Sequence, residues 1–408
     1  MRLAYIAVAR IPSKSANSLQ IMKMCEAFAK TDFDVELIVP PYWVGEADIR
    51  KENPYRYYDV ERIFKIVKLP MPDVFLLKRA SGSIWWFNTL KRVRFVLFTI
   101  ISLTYLMARP FDFVFARDPM VAFFASFFKQ TVYECHTYSP SRMIHIFERL
   151  SSSRCKFAVA ISQTLKRHLV ERGFDEMRTY VLHDAVSPQI LFAEFPMVKA
   201  KKELGIDINQ KIIVYTGHLY QRNGIYTLAE AAAFLKEKVF LVGGRQEDIE
   251  ALKHYISEKN INNILVVGHR TPRDVMIFQR AADVLVLPLS ATRTRNVFAS
   301  PLKLFEYMAS RKPIVASKLP GITEILNEEN AILVEADTPR KLAEGINKAL
   351  TNERLSKIIA DQAYQDVRLN TWENRAAKIC ALLNSRRINT SSARHRPSYS
   401  RRLDRKTV

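Results

Sequence analysis

The sequence predicts an α/β protein with two doubly wound domains, each built on a parallel β-sheet. Short apolar runs alternate with helical patterns along most of the chain, and most runs are continuously apolar, as in parallel strands covered on both faces. The chain has 408 residues, which at roughly 150 residues per domain favours two or three domains. Hydrophobic residues make up 48% and charged residues 25%, and these ordinary globular values exclude a disordered chain, a coiled coil or a collagen-like fibre.

The predicted strands fall into two groups that are separated near residue 200. The first group is 2–8, Val35–Val39, Ile63–Val67, Phe113–Ala116, Val132–Cys135 and Phe157–Ile161. The second group is Ile212–Thr216, Val239–Val242, Ile264–Val267, Val284–Leu287 and Ile314–Ala316. Helical patterns between them, such as Ser18–Lys30, Gln163–Arg172, Ile225–Leu235 and Pro272–Ala281, imply right-handed βαβ units. We therefore predict domains at 1–190 and 200–365, a linker at Phe192–Lys202, a last helix at 366–384 and a disordered basic tail at 385–408.

Glycine is distributed unevenly between the two predicted domains. Only three of the 11 glycines precede residue 200, and several of the other eight follow strands directly, namely Gly217, Gly243, Gly244 and Gly268. Ligands of open α/β sheets bind outside the carboxyl ends of the strands, where the backbone must come close to them. The second domain is therefore predicted to hold a small polar ligand.

Charge and cysteine content narrow the class of protein. Lys and Arg number 62 against 41 Asp and Glu, so the net charge of +21 favours an anionic partner. The four cysteines form no CxxC or CxxH pair, which argues against structural zinc and disulfides and for a reducing compartment. Residues 1–10 are apolar for too short a stretch to be a signal peptide, and we interpret them as a buried strand. Asp32-Phe33-Asp34 has the form of a metal-binding DxD motif, but it lies in a turn before a strand, so no metal site is predicted there.

Two further segments bear on membrane contact. The longest uncharged stretch of Ile84–Ala108 is Phe95–Ala108, whose fourteen residues are fewer than the ~20 of a spanning helix. This segment is either a core helix or, since Trp85, Trp86 and Phe87 adjoin basic residues, a helix lying in a membrane surface. The tail after Ser385 has eight Lys or Arg and one Asp, which suits weak binding to acidic lipid or nucleic acid as well as a solvated tail without a partner.

The segment Asn296–Leu326 has the features of an anion site. Ser300 and Pro301 form an N-cap and first-turn pair for a helix that follows the strand Val284–Leu287. Free N–H groups and the helix dipole at this end favour a diphosphate, with Lys303 nearby and Glu306 placed to accept hydrogen bonds from hydroxyls. A polar loop precedes the helix, with Ser290, Thr292, Arg293, Thr294 and Arg295. An ordinary capped helix with a surface Glu–Lys pair would explain the same residues.

The same stretch, SPLKLFEYMASRKPIVASKLPGITEIL, resembles the donor-binding segment of glycosyltransferase family 4, the retaining GT-B glycosyltransferases. Further similar motifs follow the family's order: VYTGHLYQRNGIYTLAEAAAFL, VFLVGG, ILVVGHRTPRDVMIFQRAADVLVLP and ILVEADTPRKLAEGI. The first half is similar through NSLQIMKMCEAFAKTDFDVELIVP, VYECHTY and FAVAISQTLKRHLVERG. The resemblance covers roughly residues 1–384 and implies two Rossmann-like domains that face a cleft.

The resemblance also implies roles for individual residues. Glu306 matches the glutamate that holds the donor ribose, and Ser300, Pro301 and Leu302 match the backbone that binds the donor phosphates. His136 matches the histidine near the transferred sugar, whereas His269 and Arg270, after Gly268, match the site of the base. Asn17 and Ser18 match the loop that faces the acceptor. The predicted donor-binding set is Gly217, His218, Arg222, Asn223, Gly224, His269, Arg270, Ser300, Pro301, Leu302, Lys303 and Glu306, and the predicted catalytic residues are His136, Arg222 and Glu306.

The sequence departs from the family pattern at three positions. Phe298 stands where the family has a first glutamate, eight residues before Glu306, that contacts the donor sugar. His218 and Asn223 stand where the family tends to have arginine and lysine. Arg222, with Lys303 and Arg293 or Arg295, is then expected to supply the positive charge beside the departing diphosphate.

The function implied by the resemblance is a retaining, metal-independent, hexosyltransferase-type glycosyltransferase. It would use a nucleotide-sugar as co-substrate without a further cofactor and act on a sugar or lipid-linked acceptor in cell-surface polysaccharide or glycolipid synthesis. The expected location is cytoplasmic, with peripheral contact to the anionic inner face of the membrane and no specific nucleic acid. Alternatives are a nucleotide-sugar epimerase of the same architecture and a catalytically degenerate nucleotide-sugar-binding protein.

Overall fold

Two parallel β-sheets organise the chain in the computed structural model, which describes residues 1–42, 49, 51–71, 84–292 and 300–392. Arg293, Thr294, Arg295 and Phe298 therefore lie outside the described residues, as does the tail from residue 393. Within these ranges the first sheet has seven strands and the second has six. The predicted α/β class with two doubly wound sheets is confirmed.

The first sheet has the strand order β3-β2-β1-β4-β5-β6-β7, with every pair parallel. Its strands are β1 (Arg2–Ile6), β2 (Asp34–Val39), β3 (Lys65–Lys68), β4 (Phe113–Ala116), β5 (Gln130–Cys135), β6 (Phe157–Ala160) and β7 (Thr179–Val181). The helices of this half are α1 (Ala16–Ala29), α2 (Pro54–Tyr57), α3 (Ile84–Met107), α4 (Pro119–Ala125), α5 (Arg142–Ser152) and α6 (Gln163–Glu171). The strand order reverses between β1 and β4, and a ligand crevice forms at such a point.

The second sheet has the order β10-β9-β8-β11-β12-β13, and it is also parallel throughout. Its strands are β8 (Ile212–Thr216), β9 (Lys238–Val242), β10 (Ile264–Gly268), β11 (Val284–Leu287), β12 (Ile314–Ser317) and β13 (Ile332–Val334). The helices are α7 (Pro188–Leu191), α8 (Met197–Glu203), α9 (Ile225–Ala232), α10 (Gln246–Glu258), α11 (Pro272–Ala281), α12 (Leu302–Ala309), α13 (Pro320–Thr323), α14 (Pro339–Thr351) and α15 (Glu353–Val367). Here the order reverses between β8 and β11.

The central strands are buried on both faces, as their apolar composition predicts. Every residue of β4, β8, β11 and β12 is buried. The two short strands β7 and β13 are not among the predicted ones. Each has only three residues and stands at a sheet edge, where its side chains are partly exposed.

The segment expected to be a linker is partly a helix of the second domain. Helix α8 packs against α11, and Lys201 in α8 is 1% exposed. Its ammonium donates to Asp283 Oδ2 at 2.9 Å and to the Gln210 carbonyl oxygen at 2.8 Å. Lys201 is therefore a buried structural cation, because its charge is paired inside the core.

The last helix, α16 (Trp372–Ser392), returns to the first domain and packs against α1. Its residues Trp372, Ala376, Ile379 and Leu383 belong to the apolar core between the first sheet and α1. The helix continues to Ser392, beyond the expected start of the tail at 385, because neither glycine nor proline occurs before Pro397. The chain thus passes between the domains twice, and at the two passages Val186 pairs in parallel with Thr371.

Helix α3 packs on the first sheet through one face only. Phe98 and Leu106 are fully buried, whereas Val96, Ile100 and Met107 are 41%, 53% and 62% exposed. Arg94 is buried, and its guanidinium donates to the Pro41 carbonyl oxygen at 2.7 Å. Within the described residues, no helix combines the length and the apolar character that crossing a bilayer requires.

Candidate functional site

Lys303, in the first turn of α12, places its ammonium group at the carboxyl end of β8. Gly217 follows β8 with φ +130°, and a Cβ at this position would lie 2.4 Å from Lys303 Nζ. A Cβ on Gly243 would likewise lie 2.3 Å from the Gly217 carbonyl oxygen. The two glycines following β8 and β9 therefore allow the backbone to pack around Lys303, as expected where a ligand approaches the strand ends.

Lys303 is half-buried and stands beside a tyrosine. Its ammonium donates to Tyr215 Oη at 2.8 Å and lies 4.1 Å from the centre of the Tyr215 ring. Burial lowers the pKa of Lys303 to about 7, although the carboxylate of Glu306 opposes this shift. A bound phosphate would favour the charged form, so this lysine is suited to bind an anion near neutral pH.

Glu306 lies one turn further along α12 and is fixed by a glutamine. Gln279 Nε2 donates to Glu306 Oε2 at 3.0 Å and lies 3.3 Å from Thr216 Oγ1. Burial raises the pKa of the Glu306 carboxyl, while the Gln279 hydrogen bond and Lys303 act in the opposite direction. The neighbouring Tyr307 Oη accepts a hydrogen bond from the Thr216 amide at 2.8 Å, which joins α12 to the end of β8.

The first residue of α12 differs from the prediction. We expected Ser300 as the N-cap and Pro301 in the first turn, but Pro301 is the N-cap, with φ −74° and ψ 130°, and the helix begins at Leu302. Its extended ψ angle places Pro301 before the helix, and proline offers no side-chain oxygen to cap the first turn. Ser300 is 6% exposed, and its hydroxyl has no hydrogen-bond partner in the described part of the chain.

The loop after β8 carries His218, Arg222, Asn223 and Gly224. The His218 ring stacks on Tyr220 with centroids 4.9 Å apart, and burial together with Lys303 and Arg245 lowers its pKa to about 4. Asn223 Nδ2 donates to the His218 carbonyl oxygen at 2.7 Å, so this side chain closes the loop. Gly224 has φ +72°, and a Cβ there would lie 1.5 Å from the Pro288 carbonyl oxygen.

Arg222 is exposed, and its guanidinium carbon lies 4.0 Å from the centre of the Tyr220 ring. It also lines a cavity of about 270 Å³, together with Gln221, Tyr226 and Asp248 among others. Arg245, which follows the glycines after β9, lies 5.9 Å from the same ring. The structure thus brings Arg222, Arg245 and Lys303 around His218, and all three lower its pKa by their positive charge.

His269 and Arg270 follow β10 at the edge of the sheet, and both are exposed. Arg270 donates to the His269 carbonyl oxygen at 2.9 Å. Gly268, with φ +81°, accepts a hydrogen bond from the Gly243 amide at 2.7 Å. The pair is therefore joined to the β9 end of the site through the backbone.

His136 follows β5 in the first domain, where its side chain is 13% exposed. Its Nε2 lies 2.6 Å from Glu134 Oε2 and 3.3 Å from Gln20 Nε2. Burial and Arg117 lower the pKa of His136 to about 4, although Glu134 opposes the shift. The imidazole is therefore neutral at pH 7, with Nε2 turned to the carboxylate and Nδ1 left to accept a hydrogen bond.

Glu134 is a fully buried carboxylate at the centre of a polar network. Arg375, from α16, donates to its Oε1 at 2.7 Å, and Tyr5 Oη donates to its Oε2 at 3.2 Å. Arg117 Nε lies 3.6 Å from Oε2. Burial opposes ionisation, but His136, Arg375 and Arg117 outweigh it and hold the pKa of Glu134 below its ordinary value. The network joins β1, β4, β5 and α16 beneath His136.

The two predicted acceptor residues have different surroundings. Asn17 is exposed in the first turn of α1. Ser18 is 1% exposed, and its hydroxyl donates to the Arg10 carbonyl oxygen at 2.8 Å and lies 2.8 Å from Ser13 Oγ. Ser18 thus holds the loop before α1, whereas Gln20, on the same helix, reaches His136.

Leu302 and Glu324 of the second domain contact the first domain. Leu302, at the start of α12, packs against the apolar core of the first domain. Glu324, after α13, accepts hydrogen bonds at the start of α6 from the Gln163 amide at 2.6 Å and the Thr164 amide at 3.2 Å. A carboxylate from the second domain therefore binds free amides in the first turn of a helix in the first domain, in addition to the N-cap Ser162.

Sequence reasoning missed several residues of this site. They are polar residues that contact the predicted site residues or their neighbours: Gln279, Arg245, Tyr215, Gln20, Arg117, Glu134, Glu324 and Arg375. Gln279 and Glu134 carried a signal, because a polar residue within an otherwise apolar helix face or strand needs a buried partner. Arg245 directly follows the paired glycines after β9, which is the position where a ligand-binding side chain is expected.

Comparisons with known proteins identify relatives of the second domain and of the whole fold. Residues 197–366 match the family model described as glycosyl transferases group 1. The chain is 26% identical over 235 residues to a D-inositol 3-phosphate glycosyltransferase of Corynebacterium urealyticum, covering 53% of this chain and 54% of the relative. It is 25% identical to the putative teichuronic acid biosynthesis glycosyltransferase TuaC of Bacillus subtilis, covering 44% and 43%. The chain thus spans about half the length of these curated relatives.

The structural comparison extends over both domains. The crystal structure of Anabaena HepE in complex with UDP and glucose superposes with a TM-score of 0.71 at 16% identity, covering 94% of this chain and 100% of that one. This likeness concerns the fold, whereas the family model concerns the second domain. Residues 197–366 are therefore a domain of the glycosyl transferases group 1 family, carried on a chain with the two-domain GT-B glycosyltransferase fold.

Proposed function

We propose that the protein is a glycosyltransferase that moves a sugar from a nucleotide-sugar to an acceptor hydroxyl. The observation that carries the proposal is the pairing of Lys303 with Glu306 on α12, at the carboxyl end of β8, within a group 1 domain. A cation and a hydrogen-bonding carboxylate one turn apart fit a diphosphate and the ribose next to it. UDP in the HepE structure makes a uridine nucleotide the first donor to test.

The positive charges suit the leaving group. Lys303, Arg222 and Arg245 converge on His218, so the region where a diphosphate would lie has a positive potential. Negative charge grows on the diphosphate as the bond to the sugar breaks, and fixed cations stabilise that transition state. These protein cations would take the role of a metal ion, which is the basis for proposing a metal-independent reaction.

The proposed reaction retains configuration at the anomeric carbon, as in family 4. The acceptor hydroxyl approaches the face from which the diphosphate departs. A bond forms between the acceptor oxygen and the anomeric carbon, while the bond from that carbon to the phosphate oxygen breaks and leaves its electron pair on the diphosphate. A phosphate oxygen takes the hydroxyl proton. Neutral His136 would accept a hydrogen bond from the sugar through Nδ1, since Glu134 occupies Nε2.

A thermal-shift screen tests the donor site. Purified protein is heated with UDP, GDP, ADP or CMP and with their common sugars. A ligand at 100 times its Kd adds ~2.7 kcal/mol to the free energy of unfolding. Glu306→Ala is expected to weaken nucleotide binding by ~1.5–3 kcal/mol, since it removes hydrogen bonds to a charged group. Glu344→Ala, at an exposed glutamate on α14, is the matched control. Equal nucleotide affinity in both variants would remove Glu306 from the site.

Product analysis separates the remaining possibilities. A transferase releases free nucleotide only with an acceptor that gains the sugar, whereas a degenerate relative binds donor without turnover. The degenerate alternative draws support from Asn223, because its amide is neutral where the family tends to have a lysine, and it donates to the His218 carbonyl oxygen within its own loop. Arg222→Ala should lower turnover more than donor affinity if its charge acts mainly in the transition state.

We further propose that the first domain contacts the cytoplasmic membrane face, where a lipid-linked acceptor for surface polysaccharide would be met. Helices α3 and α5 both pack against α4, and these helices with the turn after α4 expose apolar side chains: Val93, Val96, Ile100, Met107, Phe124, Phe127, Phe128, Ile146 and Leu150. Arg154 lies over the Phe127 ring at 3.6 Å, so a cation adjoins this surface. Apolar side chains mixed with cations suit an anionic bilayer surface.

Vesicle sedimentation tests the membrane contact. The protein should bind vesicles that contain anionic phosphatidylglycerol more strongly than pure phosphatidylcholine vesicles. Phe127→Ser should weaken this binding, and Phe234→Ser, at an exposed phenylalanine in the second domain, should not. Equal binding by all three proteins would place any lipid contact elsewhere.

A further inference from the structure

Two histidines and a glutamate meet in the first domain. His145 and Glu148 are three residues apart on α5 and so lie on one face of that helix, while His168 comes from α6. Each of the three side chains offers one ligand atom, and these atoms all lie within 4.8 Å of one another. Glu148 and His168 are buried, whereas His145 is half-exposed.

We propose that His145, Glu148 and His168 form a binding site for a divalent transition-metal ion, Zn²⁺ above all. Two imidazoles and one carboxylate are a donor set that suits zinc, and three protein ligands leave a fourth position for water. The half-exposed His145 marks the side from which an ion can enter.

The distances require only a small adjustment. Zinc lies ~2.0–2.1 Å from its nitrogen and oxygen ligands, so two ligand atoms of a tetrahedral site are about 3.4 Å apart. His168 Nε2 and Glu148 Oε2 are already 3.1 Å apart. The separations to His145 must shorten by up to roughly 1.4 Å from the 4.8 Å limit, which rotation of a half-exposed side chain provides.

Outer hydrogen bonds hold these ligands in the manner of a metal site. His145 Nε2 lies 2.6 Å from the Ser139 carbonyl oxygen, which leaves Nδ1 for the ion. Tyr133 Oη donates to Glu148 Oε1 at 3.3 Å, which leaves Oε2 on the side of His168. Metal-binding imidazoles and carboxylates are commonly oriented by such second bonds to a carbonyl or hydroxyl group.

The proposed metal site is separate from the transferase chemistry. Tyr133, which contacts Glu148, and Glu134, which contacts His136, are consecutive residues of β5, so their side chains point to opposite faces of the sheet. An ion here would cross-link α5 to α6, the helix whose start binds Glu324 of the second domain. Its role is therefore structural, and it does not depend on the proposed glycosyl transfer.

Cobalt is the probe for this site, because Co²⁺ takes the place of zinc and its visible absorption reports the ligand geometry. Untagged full-length protein is treated with a chelator, freed of it and titrated with Co²⁺, and Zn²⁺ is then added to displace the bound cobalt. The variants are His145→Ala and His145→Phe, the second of which keeps an aromatic ring beside Tyr138. His254→Ala is the matched control, because His254 is an exposed helical histidine that pairs with Glu258 at 3.4 Å.

We expect the wild-type protein and His254→Ala to bind one equivalent of cobalt that zinc displaces. Both His145 variants should bind it at least tenfold more weakly, and zinc should slow amide exchange in α5 and α6 of the wild-type protein and of His254→Ala but not of the His145 variants. Equal cobalt affinity in all four proteins would overturn the proposal, as would a wild-type protein that binds no equivalent of either metal. In that case Glu148 and His168 are a buried hydrogen-bonded pair.

Discussion

The buried carboxylate Glu134 offers the sharpest test of how the first domain is held together. In Glu134→Gln the side chain keeps its shape but loses its charge, so Arg375, whose side chain is 3% exposed, keeps a positive charge without its anionic partner. The amide nitrogen also faces a hydrogen-bond donor, either Arg375 at one oxygen position or Tyr5 at the other. Breaking a buried ion pair from one side costs about 3–5 kcal/mol.

This loss is large enough to measure by thermal unfolding followed by circular dichroism. At roughly 2–4 °C per kcal/mol for a domain of this size, the midpoint of Glu134→Gln should fall by roughly 6–20 °C. Glu344→Gln, at an exposed glutamate that pairs with Lys341, should leave the midpoint unchanged. The double variant Glu134→Leu/Arg375→Met should recover part of the loss, because it removes the unpaired charge of Arg375 but leaves Arg117 without the carboxylate.

The pH dependence of the stability of the wild-type protein and of Glu134→Gln provides an independent test. The pKa of Glu134 lies below its ordinary value in the folded protein, so the stability it contributes is present at neutral pH and is lost as the pH falls through the folded pKa. Glu134→Gln should not show that final loss in acid. The reasoning is refuted if Glu134→Gln has the same unfolding midpoint as Glu344→Gln, or if the double variant is no more stable than Glu134→Gln.

Three further predictions concern the donor site and the domain contact. Gly217→Ala should weaken nucleotide binding more than tenfold in calorimetry, since the new methyl group would lie 2.4 Å from Lys303 Nζ. The control is Gly205→Ala, because Gly205 also has a positive φ, +67°, but has open space where the methyl group would lie. Nucleotide affinity should fall as the pH rises from 6 to 8, because the pKa of Lys303 is about 7 before ligand binds. Lys303→Arg should abolish this pH dependence. A wild-type affinity that does not change with pH would contradict the prediction. Glu324→Ala should increase the radius of gyration in X-ray scattering by breaking the cap on α6, whereas Glu328→Ala should not, and identical curves would show that the cap does not hold the domains.

Most strands could be predicted from the sequence, because a strand that is buried on both faces needs a run of apolar residues. Phe113–Ala116, Ile212–Thr216 and Val284–Leu287 are strands with the predicted ends, since each is an uninterrupted apolar run. The edge strands Thr179–Val181 and Ile332–Val334 have partly exposed side chains and too few residues for a pattern. Local pattern therefore predicts the longer strands, including the edge strand Ile264–Gly268, and misses the two that have three residues.

The site was predictable only where its chemistry is local. Lys303 and Glu306 lie one turn apart, so their proximity follows from helix geometry. The ion pair of Glu134 with Arg375 joins residues 241 positions apart, and no spacing rule reaches that far. The exact start of α12 could not be predicted even from adjacent residues, because Ser300-Pro301 is compatible with a helix that begins at Pro301 or at Leu302.

The two passages of the chain between the domains have a mechanical consequence. A single tether would let the domains swivel freely, but here Val186 and Thr371 pair side by side, and the Val186 amide donates to the Asn370 carbonyl oxygen at 2.9 Å. Two paired segments restrict the rotation of one domain relative to the other more than a single segment would. The paired passages therefore favour the domain orientation in which Leu302 and Glu324 contact their partners in the first domain.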